Sequence, residues 1–439
     1  MNIILKNATI VTQNKDRDVF KGDVWVEGNK IRAVAPEIEQ NGVAQFNLNG
    51  LTVIPGLIQT HVHLCQVLFR NMADDLELLD WLTQYIWPME MAHTPQSLRV
   101  SAQLGLYEML TSGVTSVLDM GCANHMDVVF EELQQSGIRG FCGKVMMDCG
   151  DQPYQESTEA VLKSTEDLIQ KWHKTSNQRI QYALAPRFVL TCSDQLWASV
   201  KALSEKYGLL IHTHSSENRT EIKLVKEQTG HPNIEFFVRN QLASSKLCLA
   251  HCIWLNDNEM NSLKTFDINV MHCPAANLKL GSGFARIPEM LDKGINVSLG
   301  SDGAPCNNNL DIFMDMRLAA LIHKPNFGVR SINAQQIFDM ATLAGAKTLG
   351  MSHQIGSIEP GKLADLTILN LNKVHLTPVD NVISQIVYSA QSKDVFHVMV
   401  DGEWVVQNRV PSAYPNEGKI VNTARKACSE LKKRMDVLV

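Results

Sequence analysis

Apolar and polar residues along the chain change rhythm twice. In residues 1–54, stretches such as IILKNATIV, DVWVEGNKIRAVA and LTVIP are rich in Val, Ile and Thr and break at Gly, Asn and Pro. That is the pattern of strands and turns, without a helical period. From 55 to 354, short apolar runs alternate with longer segments of helical period. In SLRVSAQLGLYEMLTSG, for example, Leu98, Ala102, Leu106 and Met109 share one face and Gly113 ends the helix. Residues 355–439 return to strands in ADLTILN and HVMVDGEWVVQN, then close on a helical NTARKACSELKKRMDVLV.

The middle block contains eight apolar runs: TVIPGLIQTH, VTSVLDM, GFCGKVMMD, IQYALAPRF, LLIHTH, LCLAHC, INVMHC and INVSLGSD. Eight strands separated by helices over about 300 residues are what a closed parallel (β/α)8 barrel requires. The fold class expected is therefore α/β, a TIM barrel over 55–354. Residues 1–54 and 355–439 are each too short to bury a core alone, so they are expected to share a sheet.

Polar residues fall at the ends of these runs. His61 and His63 close the first, Arg187 and Phe188 the fourth, His214 the fifth, His251 the sixth and Asp302 the eighth. In such a barrel the strand ends form the rim where the loops converge on one pocket. Alternate residues of a strand share a face, so His61 and His63 project together into the mouth. With His214 and Asp302 they make three nitrogen donors and one oxygen, a set that suits one catalytic divalent metal, zinc ahead of iron. Any one of these histidines alone reads as a core residue; their conjunction points to metal.

Glu217 follows His214 by three residues. Beside a metal it suits a proton carrier between attacking water and leaving group; otherwise it is a surface glutamate opening the next helix. His251 suits orienting the water better than a further ligand position. His212 shares the face of His214, and His272 ends the seventh run in a core or supporting role.

Composition narrows the partners. A net charge of -6 with scattered Lys and Arg leaves no basic face for nucleic acid and allows a small neutral substrate. The 10 cysteines form no CxxC pair, which points to a reducing compartment. The start MNIILKNATIVTQN has neither a basic head nor a small-residue cleavage site, and no apolar segment approaches about 18 residues. The expectation is a cytoplasmic protein with no membrane association.

Taken in order, PGLIQTHVHL, HTHSSE, LAHC, HCPAANLKLGSG and LGSDGAP resemble the amidohydrolase superfamily, in its cytosine deaminase-like branch. That branch holds guanine deaminases, methylthioadenosine/S-adenosylhomocysteine deaminases and triazine hydrolases. The resemblance spans nearly the whole chain. It implies a (β/α)8 barrel beside a small β-sandwich domain built from both chain ends, with a mononuclear metal on His61, His63, His214 and Asp302. It implies Glu217 as proton shuttle, His251 as assistant to the attacking water, Asp302 as a second base, and a homo-oligomer, dimer or tetramer.

For the substrate the resemblance divides. ADDLELLDWLTQYIWPME and NLKLGSG look like the adenosine-analogue deaminases, in which the glutamate matching Glu90 contacts ribose hydroxyls. HLCQ, GKVMMD, APRFVLTCS and HSSENRTEI look like guanine deaminase, whose pattern sets ring-reading groups at Gln66, Arg187 and Phe188. Arg187 can donate a fork to a ring oxygen, Phe188 can stack, and Gln66 can donate and accept. The competing reading pairs Arg187 with a carboxylate and buries Phe188 in the core. The methylthioadenosine deaminase pattern carries a histidine where Arg187 stands and an arginine near Lys144. The expectation is thus an aminohydrolase of a purine-like or pterin-like ring, guanine-type bases slightly ahead, adenosine analogues second and triazines third. A non-catalytic metal-binding barrel is the rival from another class; Glu217 and His251 argue against it.

Overall fold

A computed structural model describes residues 1–150 and 155–438. Each of the eight runs supplies barrel strand. Strands Leu57–Val62, Val114–Asp119, Arg139–Cys142 and Ile180–Tyr182 pair in parallel, as do Ile211–Ser215, Leu247–His251, Asn269–His272 and Val297–Leu299. Single parallel bridges, Leu184 to Ile211 and Val62 to Asp302, join the two arcs into a closed ring. The result is an α/β barrel of the TIM type, with its chemistry gathered at one rim.

Two runs are broken where the chain turns. TVIPGLIQTH is cut at Gly56: Thr52–Pro55 belongs to the terminal sheet, and only Leu57–Val62 enters the barrel. A Cβ at Gly56 would lie 2.1 Å from Thr115 Oγ1, so the chain crosses between the two bodies where only glycine fits. GFCGKVMMD is interrupted likewise, its tail Val145–Met146 pairing with Ala185–Pro186.

Both chain ends meet in one nine-stranded hydrogen-bonded sheet. Its junction is Thr52–Pro55 running antiparallel to Leu366–Leu369, with Leu366 opposite Pro55. The buried Arg139 clamps barrel to sheet, donating from Nε and Nη2 to Asp365 at 2.8 and 2.9 Å.

Helix Pro95–Thr111 follows its pattern closely. Thr94 caps its start, accepting from Ser97 N at 3.2 Å, and Leu98, Ala102, Leu106 and Met109 are fully buried. In the last block ADLTILN and HVMVDGEWVVQN form the strands expected of them, Leu366–Leu369, Val395–Val400 and Glu403–Gln407, and the chain between adds an element that was not expected. Val382–Tyr388 is a helix, capped by Asn381, that packs on the barrel helices Ile312–Ile322 and Ala334–Ala341 through its Ile383, Ile386 and Val387 side. The terminal helix begins at Glu417, earlier than expected, and packs on helix Pro95–Thr111. Its Ala424, Ala427 and Leu431 join the apolar cluster of Leu78, Trp81 and Phe188. No helix among the described residues is long and apolar enough to cross a membrane.

Candidate metal centre and active site

Barrel closure assembles the centre. Asp302 donates its backbone N–H to the carbonyl of His61 at 2.9 Å, so the eighth strand delivers its carboxylate beside the first strand's histidines. Asp302 sits at φ +62°, a left-handed turn that swings the side chain inward, and its Oδ1 accepts from Gly303 N at 2.7 Å. At Gly300 a Cβ would stand 2.7 Å from that of His61; glycine permits the approach.

One donor atom each from His61, His63, His214 and Asp302 lies within 4.8 Å of the others. His61 Nε2 and His63 Nε2 stand 3.4 and 3.3 Å from Asp302 Oδ1, and His63 Nε2 is 3.3 Å from His214 Nε2. His61 Nε2 is buried without a hydrogen-bond partner, and a buried lone pair left unpaired is costly. Burial pushes His61 down to about 4 and His214 well below its usual value, keeping both imidazoles neutral. Burial would raise Asp302, but the His61 and His63 imidazoles beside it outweigh that and hold its carboxyl well below the usual value. Three imidazole nitrogens and one carboxylate oxygen, converging and buried, fit a mononuclear divalent cation.

Other groups fix the ligand rings. His214 Nδ1 donates to the carbonyl of Arg187 at 2.7 Å, which turns its Nε2 lone pair toward the centre. His61 Nδ1 lies 2.7 Å from His212 Nε2. His251 stands off the donor set: its Nδ1 lies 2.8 Å from Asn277 Oδ1, and its Nε2 is 3.5 Å from Glu217 Oε2 and 3.8 Å from Asp302 Oδ2. Burial lowers His251, but the Glu217 and Asp302 carboxylates win and raise it.

Glu217 sits just before helix Arg219–Thr229. Burial, with Asp302 and Glu221 nearby, pushes its carboxyl up to about 7 against the pull of His251. Sequence reasoning missed Glu221. Its buried carboxylate accepts from Glu217 N at 2.9 Å and from Asn233 Nδ2, pinning the main chain that carries Glu217. The available signal was a capping box, Asn218 with Glu221 three residues on.

A cavity opens over these groups, about 460 Å³ when the space open to solvent is counted. His63, His214, Asp302, Glu217 and His251 line one side, with Gln66, Arg187 and Glu221; Phe188, Leu78, Trp81, Leu82 and Leu280 form the apolar wall. Arg187 reaches the cavity already engaged: Nη1 and Nη2 donate to Glu90 at 2.6 and 3.2 Å, and Gln66 Nε2 donates to Glu90 Oε1 at 2.9 Å. Arg187 thus pairs with a carboxylate and lines the cavity at the same time. Glu90 is likewise not a free carboxylate, since it is the counter-ion of a buried cation, and Phe188 both faces the cavity and belongs to the apolar cluster. His272 is buried against the ring of His323 at 5.3 Å, away from the cavity lining. Lys144 is spent on the carbonyl of Ala123 and the carboxylate of Glu156.

The amidohydrolase family model matches residues 52–405. The chain belongs to the amidohydrolase family. It is 37% identical over 410 residues to a 5-methylthioadenosine/S-adenosylhomocysteine deaminase of Thermococcus onnurineus, covering 93% of this chain and 95% of that protein. A 5'-deoxyadenosine deaminase of Methanothermobacter thermautotrophicus is 38% identical over 392 residues, covering 89% and 90%. A zinc-bound adenosine deaminase from Xanthomonas campestris superposes with a TM-score of 0.92 at 28% identity, covering 98% of this amidohydrolase and 99% of that chain. Guanine deaminase of E. coli is more distant, with a TM-score of 0.82 at 25% identity over 92% and 98%. The order of substrates expected from Gln66, Arg187 and Phe188 is thus reversed: the curated relatives favour adenosine analogues over guanine. The chain is an enzyme, a hydrolase whose relatives are named deaminases.

Proposed function

We propose that this amidohydrolase deaminates an adenosine analogue of the 5'-deoxyadenosine, methylthioadenosine and S-adenosylhomocysteine type, releasing ammonia. The observation that carries the reading is near-full-length identity to deaminases of that class around a buried three-histidine, one-aspartate centre. We read His61, His63, His214 and Asp302 as the metal ligands, zinc as the metal, and residues 1–54 with 355–439 as a small β-sandwich domain beside the barrel of 55–354.

A divalent metal bound there supplies the Lewis acidity that makes water a nucleophile near neutral pH. Asp302 takes a proton from that water at its carboxylate. His251, its Nδ1 held by Asn277, offers Nε2 to orient the water toward the ring carbon. Glu217, with a carboxyl poised near neutrality, gives a proton to the ring nitrogen beside that carbon; Asp302 passes the proton it took to the departing amino group, and Glu217 regains one from the added hydroxyl as the ring carbonyl forms. Phe188, Trp81 and Leu280 pack the flat base and exclude bulk water. Glu90 does not line the cavity; it holds Arg187 and Gln66, which do.

A second reading, an amino-oxo ring of guanine or pterin type, rests on one feature: Gln66 and Arg187 both line the cavity. Ammonia release from the metal-loaded protein, measured on 5'-deoxyadenosine, methylthioadenosine, S-adenosylhomocysteine, guanine, a pterin and melamine, separates the two. Faster turnover of the nucleosides is expected. Release from guanine or the pterin alone would overturn the first reading, and no release from any substrate would overturn both.

A further inference from the structure

We infer that His212 is a positioning residue for His61, accepting the hydrogen that frees the Nε2 lone pair of His61 for a metal. The inference rests on the metal reading above and goes beyond it, to a fifth histidine outside the donor set. His61 and His212 lie on opposite sides of the barrel interior, on the first and fifth strands, and both are fully buried. His61 Nδ1 and His212 Nε2 are 2.7 Å apart, and the rings meet edge to face at 85° with centroids 4.9 Å apart.

At that distance the two nitrogens share one hydrogen, which leaves two tautomeric arrangements. In one, His212 Nε2 donates; neutral His61 then carries its hydrogen on Nε2, aimed at Asp302 Oδ1 3.4 Å away. In the other, His61 Nδ1 donates, His212 carries its hydrogen on Nδ1, and His61 Nε2 presents a lone pair. Only the second arrangement can ligate. A metal at the centre therefore selects it, and the free energy of binding depends on an acceptor for the His61 Nδ1 hydrogen in a place that water does not reach.

The chemistry of this acceptor matters as well. His214 has a main-chain carbonyl in the equivalent role, and His61 has a neutral imidazole. An imidazole adds no negative charge to the contact and leaves Asp302 as the sole anion of the donor set. A carboxylate in its place would make His61 a stronger donor and the metal a weaker Lewis acid.

The test is zinc affinity, measured by chelator competition on the full-length protein as wild type, His212→Leu and His212→Gln. Leu removes the acceptor; Gln restores an acceptor oxygen at about the reach of Nε2. Expected is a loss of roughly 10- to 100-fold in zinc affinity for His212→Leu and near-wild-type affinity for His212→Gln. Equal affinity in all three, or an equal loss in both variants, would overturn the role. Should His212→Leu not fold, nitrogen-15 spectra of histidine-labelled wild type still decide: zinc must bring His212 to its Nδ1–H form, and an Nε2–H form would overturn the inference. Failure of the wild type to take up one zinc per chain is a different result, and would remove the metal reading itself.

Discussion

At the residue scale, Glu217 and Asp302 face one cavity and are driven opposite ways. Asp302 is held ionised by two histidines, whereas Glu217 is pushed up to about 7 by burial. In the proposed mechanism that separation lets one carboxylate accept a proton while the other delivers one. Glu217→Gln is expected to keep its metal yet lose roughly 10²- to 10⁴-fold in kcat; turnover near wild type with metal bound would assign the proton to another group. Arg187 makes a second point. Its guanidinium and the Glu90 carboxylate are 3% and 5% exposed, so removing one partner strands a buried charge. Arg187→Met is expected to cost about 3–5 kcal/mol in urea unfolding, and much less when combined with Glu90→Gln. Equal losses in the single and double variants would show that packing, not charge pairing, is what Arg187 contributes.

At the scale of elements, supports of the cavity come from far along the chain. The terminal helix carries Ala424, Ala427 and Leu431 against the segment that holds Leu78 and Trp81, and Arg434 Nε donates to the carbonyl of Ala92 at 2.8 Å. Leu431 is fully buried, so Leu431→Ala is expected to cost about 2–5 kcal/mol and to raise KM more than it lowers kcat. A thermal shift with unchanged KM would confine the helix to a stabilising role. These elements were legible to different degrees. Helix Pro95–Thr111 could be read from its period because one face is buried along its whole length. Val382–Tyr388 was missed: its apolar residues span under two turns, too few to separate helix from strand. The cut at Gly56 was missed because an apolar run is the same on either side of a crossing between sheets.

At the scale of the whole molecule, buried acids set a slope of stability with pH. Asp315 accepts from Ser301 Oγ at 2.5 Å and from Asn307 Nδ2 at 3.2 Å, and burial pushes it up to about 8 from 3.8. A carboxyl whose folded value is raised takes up its proton on folding. Its contribution is full below the unfolded value and is lost as pH rises through the folded one. Wild type should therefore lose stability from about pH 4 to about pH 8 relative to Asp315→Asn, read as the urea midpoint across that range; parallel curves would show that Asp315 does not titrate there. Metal should shift stability too. At free metal roughly 100 times Kd, linkage adds about 2.7 kcal/mol, so chelation should lower Tm in calorimetry.

What the sequence determined by itself was local: the periods that make strands and helices, the eightfold alternation, and the donor types His61, His63, His214, Glu217, His251 and Asp302 at run ends. A period is a property of neighbours along the chain, so it survives without the fold. Which side chains meet across the barrel was decided only by tertiary structure. The bridge of Val62 to Asp302, the pairing of Arg187 with Glu90 and the contact of His61 with His212 join residues distant in sequence. The Arg187 fork could be written equally for a ring oxygen or a carboxylate, since a guanidinium suits both. The fold placed Glu90 in that fork, because a cation taken out of water requires a counter-charge in reach.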